Sequence, residues 1–122
     1  MGELLDKISI LQIKQTSILD AVKLVNVSNE LRILMEIMES NGVTRHQEFD
    51  ELFQTMFVIN RRGWDYEDQI RELMVHPGSD QGFIDLAVNV HKNNDSRMAW
   101  KKHINLTFNS SIIEEKSYKD AP

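Results

Sequence analysis

Apolar residues recurring every three or four positions along most of the chain constrain its fold more than any other feature. The signal is strongest where Phe49, Leu52, Met56, Ile59, Tyr66, Ile70 and Leu73 hold one register. That spacing lines one face of a helix with 3.6 residues per turn and does not fit the two-residue alternation of a half-buried strand. It predicts a long helix that Thr44 and Gln47 open as a capping box and that runs to about His76, where Pro77-Gly78 stops it. Gly63 is its weak point. A rival reading ends a helix at Arg61-Arg62-Gly63 and restarts it at Asp65, but the unbroken register favours continuity.

The same pattern outlines the other elements. Leu4, Leu5, Ile8, Leu11 and Ile18 mark a first helix from Glu3 to about Ser17. Ile10 and Ile13 fall on another side of it, which predicts burial on more than one face. Asp20 is placed to cap a second helix, Ala21 to about Ser40, with the stripe Leu24, Val27, Leu31, Leu34, Met38 and a stop at Asn41-Gly42. Phe83, Ala87 and Val90 outline a fourth helix. Asn93-Asn94-Asp95-Ser96 reads as a stop followed by a new cap, and Trp100, Ile104 and Phe108 mark a fifth segment. The expected fold is all-α, an antiparallel bundle of four to five helices with one long central helix. It forms a single domain over residues 1–122, in which 109–122 is a tail that docks Ile112, Ile113 and Tyr118 or frays.

Composition narrows the function classes. At 122 residues, 41% of them hydrophobic and 27% charged, the chain suits one soluble domain, and no apolar run approaches the roughly 20 residues that cross a bilayer. The start at Met1-Gly2-Glu3 lacks the basic and apolar regions of a secretory signal, so no membrane association and a cytoplasmic location are expected. With no cysteine there is no disulfide or thiolate chemistry. The 14 basic and 19 acidic residues give a net charge of −5, which argues against DNA as a partner. No glycine-rich phosphate loop or dinucleotide fingerprint is present, and no cofactor is expected. The histidines His46, His76, His91 and His103 lack the three- or four-residue pairing of a metal site.

The stretch Gly2 to Leu11 (GELLDKISIL), Trp64 with Glu67-Asp68 and Arg71, Asn94-Asp95 with Arg97, Ile104-Asn105, and Glu114 to Tyr118 (EEKSY) resembles a family of small uncharacterised bacterial and phage proteins. The likeness covers nearly the whole chain. It implies family membership and no particular activity.

Several constellations could carry function. Glu3, Lys7 and Lys14 share a narrow arc of the first helix, where a carboxylate and two ammonium groups could converge on an anion; a Glu–Lys pair at four-residue spacing on a wet face is the plainer account. Arg61, Arg62, Arg71, Arg97, Lys101 and Lys102 lie on two helices that antiparallel packing could bring together around a phosphate or carboxylate, although Asp65, Glu67, Asp68 and Glu72 are nearby partners for them. The candidate anion site is therefore Glu3, Lys7, Lys14, Arg71, Arg97 and Lys101. Glu48-x-x-Glu51 followed by Asp65-x-x-Asp68 has the outline of the magnesium-binding pattern of all-helical nucleoside triphosphate pyrophosphohydrolases, but with Asp65 where that family has Glu and with the pairs about 25 Å apart on one continuous helix. Trp64, Tyr66 and Trp100 could stack on a base or sugar, or anchor a core or interface. Two readings follow: a non-catalytic helical interaction protein, a homodimer or one half of a pair with another protein, and a small enzyme or binding protein for an anionic metabolite. Whether the chain is an enzyme stays open at this level.

Overall fold

A computed structural model describes the backbone of residues 1–120 and the side chains of residues 1–109. Four α-helices follow one another: α1 (Gly2–Ser17), α2 (Ala21–Ser40), α3 (Phe49–Val75) and α4 (Asp80–Asp120). No strand occurs among the described residues. The Asp20 side chain accepts hydrogen bonds from the Val22 and Lys23 backbone N–H groups, 3.0 Å each, satisfying two of the donors that a helix start leaves open. Only three residues join α1 to α2, so α2 folds straight back along α1, with Gln15 reaching Ser28 and Lys7 reaching Glu30.

Helix α1 is the hub, because it packs on each of the other three, whereas α2 packs mainly on α1. Burial follows from that position. In α1, Leu5, Ile8, Leu11 and Ile13 are buried, so apolar residues on more than one side are covered, as Ile10 and Ile13 led us to expect; Ile10 itself is half-buried. In α2 only Leu31 and Met38 are buried, and Val22, Val25, Ile33 and Ile37 stay in solvent. Leu52 and Met56 of α3 and Ile104 and Phe108 of α4 complete the main core. Helix α4 runs antiparallel to α1, with Gly2 beside Asn105 and Asp6 beside Arg97, and antiparallel to α3, with Leu52 beside Trp100 and Ile59 beside Asn93. The Gly2 N–H donates to Asn105 Oδ1 at 2.6 Å, and a Cβ at position 2 would lie 2.5 Å from the Lys101 carbonyl oxygen. Only glycine lets α1 begin so close to the backbone of α4.

Two local expectations need correction. Thr44 and Gln47 form no capping box. Instead Val43–Arg45 makes a 3-10 turn after Gly42, whose φ is +74°, and buries Val43 in the core. The open N–H groups before α3 find His46, which accepts from Glu48 N–H through Nδ1 and from Phe49 N–H through its carbonyl. Helix α3 passes through Gly63 without a break and ends one residue short of His76.

The second correction concerns Asn93 to Ser96, which neither stop one helix nor start another. Three of the four side chains have other work: Asn93 Nδ2 donates to the Ile59 carbonyl of α3 (3.1 Å), Asp95 sits 3.4 Å from His91, and Ser96 Oγ donates back to the Lys92 carbonyl (3.1 Å). A residue whose polar group is satisfied elsewhere has no reason to compete with the helix backbone. The buried stripe in fact continues through Leu86, Val90, Asn93, Arg97, Trp100, Ile104 and Phe108, with polar residues at two of its positions. The fourth and fifth predicted segments are one helix. Docking of Ile112, Ile113 and Tyr118 lies outside the described side chains.

Candidate functional site

Polar side chains from three helices meet beside the apolar core. Asp6 of α1 is 3% exposed and is the acceptor around which the rest assemble. Arg97 of α4 grips it with both arms of the guanidinium, Nε to Oδ1 at 2.9 Å and Nη2 to Oδ2 at 2.6 Å. Asn60 of α3 donates from Nδ2 to Asp6 Oδ1 (2.9 Å) and to Ser9 Oγ (2.6 Å), while Ser9 donates to the Asp6 carbonyl (2.8 Å). Lys101 Nζ lies 3.7 Å from Asp6 Oδ2 and pairs more closely with Glu3.

Burial alone would push the Asp6 carboxyl up. Hydrogen bonds from Arg97 and Asn60, with the charges of Arg97 and Lys101, outweigh it and hold Asp6 below the usual carboxylate range. The hydrogen bond to Asp6 raises the Arg97 guanidinium above its usual value against an opposing effect of burial. Both groups therefore stay charged at neutral pH. A carboxylate held this way is a poor proton acceptor; what the arrangement does chemically is pin α1, α3 and α4 to one another.

Next to this pin a cleft of about 190 Å³ opens where α1, α3 and α4 meet. Ile10 and Val90 supply apolar wall, Trp64 an aromatic side, and Glu67, Asn94 and Arg97 polar groups. Asn93 lines it too, 6% exposed, and its Oδ1 is buried with no hydrogen-bond partner among the described residues. Gly63 faces Asn93 across the helix pair: a Cβ there would stand 3.1 Å from Asn93 Nδ2.

Of the six residues proposed for an anion site, the fold gathers Glu3, Arg97 and Lys101, and each of the two cations already faces a carboxylate. Lys7 pairs with Glu30 on the α1–α2 face, Lys14 lies in the last turn of α1, and Arg71 pairs with Asp68 on the exposed far half of α3. Arg61 pairs with Asp65 within α3 at 3.6 Å. The two acidic pairs, Glu48/Glu51 and Asp65/Asp68, stay about 25 Å apart because α3 is continuous. Among the described residues no group of three or more histidines, aspartates or glutamates could hold a metal ion. Trp100 serves the fold, its indole N–H donating to the Leu52 carbonyl at 2.9 Å.

Sequence reasoning gave Asp6, Ser9, Asn60 and Asn93 no role in a site. One signal was available: Asn60 directly follows the stripe residue Ile59, and Asn93 and Arg97 fall on stripe positions of α4. No family model, curated protein or solved structure matches the chain.

Proposed function

We propose that the protein is a non-catalytic helical interaction protein that pairs with a second copy of itself through the free end of the α3–α4 hairpin. The observation that carries this reading is the apolar surface at that end. Met74 and Val75 close α3 at 74% and 70% exposure, and just across the turn Phe83, Ile84 and Val88 of α4 are also exposed. Helix α1, at 16 residues or roughly 24 Å, is shorter than α3, at 27 residues or roughly 40 Å, and no residue of α3 beyond Asn60 is buried. Apolar side chains grouped on a two-helix arm mark a contact surface, and a twofold pairing of such arms covers both at once. No described helix is long and apolar enough to cross a membrane. The reading takes the pair to act in the cytoplasm, where a chain without cysteine is at home.

Light scattering of the purified chain at micromolar concentration tests this. The expected mass is twice 14.2 kDa, and Phe83→Glu with Ile84→Glu brings it to 14.2 kDa with helix content unchanged by circular dichroism. A wild-type chain that stays monomeric throughout the micromolar range overturns the reading.

A further inference from the structure

We propose that the cleft between α1, α3 and α4 binds a small organic ammonium compound, with Glu67 as the counter-charge and Trp64 as the wall it packs against. Among the polar groups of the lining, one charge stands without a partner. The Glu67 carboxylate has no ion-pair or hydrogen-bond partner among the described residues, and the Asn93 oxygen is buried without a donor. Arg97, the one cation among the described residues that line the cleft, has its charge matched by the two-armed grip on Asp6. The cleft is therefore left with an unmatched negative charge in a chain whose net charge is −5, a field that draws in cations and repels phosphates and carboxylates.

Aromatic surface beside a carboxylate suits an ammonium group in particular. The ring face attracts the positive charge, and the carboxylate takes its N–H donors or its counter-ion field. Size sets a further limit. The cleft, at about 190 Å³, lies below the range of roughly 300 Å³ and upward typical of drug-sized ligands. A simple amine or amino sugar suits a space of this size. This inference stands apart from the pairing of hairpin ends, because Trp64 and Glu67 lie well before Met74 on α3.

The test uses the full chain and measures melting temperature against ethanolamine, tetramethylammonium and glucosamine chlorides, with glucose and sodium phosphate as neutral and anionic controls at matched ionic strength. At least one ammonium salt should raise Tm saturably, by roughly 4–6 °C at ten times its half-saturating concentration, with neither control doing so. Glu67→Gln should remove the shift without moving the Tm of the free protein, since Glu67 is exposed. Amide chemical-shift changes on titration should centre on residues 63–67 and 90–97. No saturable shift with any ammonium salt, a shift that survives in Glu67→Gln, or an equal shift with glucose or phosphate overturns the proposal.

Discussion

Helix α3 carries one apolar register from end to end, yet its two halves lead different lives. In the first, Leu52, Met56, Ile59 and Asn60 are buried against α1 and α4; in the second, from Arg61 to Val75, no residue is buried, although Tyr66, Ile70 and Leu73 continue the same spacing. The polar contacts divide the same way. Asn60 bonds across helices to Asp6 and Ser9, whereas Arg61 reaches only Asp65 and Arg71 only Asp68, each one turn along the same helix. Periodicity reports that a segment is helical and which face is apolar. Whether that face is covered depends on how far the neighbouring helix extends, and α1 stops after 16 residues.

Met56 and Met74 give the most direct way to test this contrast, being one residue type in one helix at opposite exposures, 0% and 74%. Met56→Ala should cost about 2–5 kcal/mol in chemical denaturation, because it removes buried methylenes and leaves a cavity. Met74→Ala should stay within about 0.5 kcal/mol in the isolated chain. Equal losses at the two sites would mean that the second half of α3 is covered as well as the first.

A smaller loss is expected at the polar pin. Arg97→Ala leaves the Asp6 carboxylate buried with Asn60 and Lys101 as its remaining partners, and with the guanidinium about one third exposed the cost should be about 2–3 kcal/mol. The pH dependence follows from the lowered pKa of Asp6. A group whose folded pKa is depressed stabilises the fold fully above its unfolded value, about 3.9, and loses that contribution as pH falls through the folded one. Tm measured from pH 5 down to pH 2 should therefore fall less steeply in Asp6→Asn than in the wild type. Identical slopes would remove Asp6 from the account of acid stability.

The least effect belongs to the far half. Asp68→Ala breaks an exposed pair three residues apart with Arg71 and should change stability by about 0.2–0.5 kcal/mol, an effect that disappears in 1 M salt. A loss above about 1 kcal/mol would show that this surface is held by something beyond its own helix.

What could be read from the sequence tracks the physics of burial. The stripe Leu24, Val27, Leu31, Leu34, Met38 and the cap at Asp20 were legible because apolar spacing and capping are local properties. The continuity of α4 was not, because Asn93 and Arg97 interrupt its inner stripe with polar residues and Asn93 to Ser96 resemble a cap. Their use as cross-helix donors exists only once α3 and α1 are in place. The candidate site was half legible for the same reason. Glu3, Arg97 and Lys101 were singled out as charges and do come together, while Asp6, Ser9 and Asn60 read as ordinary surface residues until the fold buries them. Lys7, Lys14 and Arg71 share the chemistry but not the place.

The grip of Arg97 on Asp6 also has a consequence in time. The two residues are 91 positions apart, so on the ribosome the first helix emerges long before its guanidinium partner is made. At synthesis rates of about 5–20 residues per second the wait is roughly 5–18 s, during which Asp6 keeps its hydration and α1 lacks the helix that completes its burial. The nascent chain therefore gains its native centre only once the α4 segment that carries Arg97 has been made.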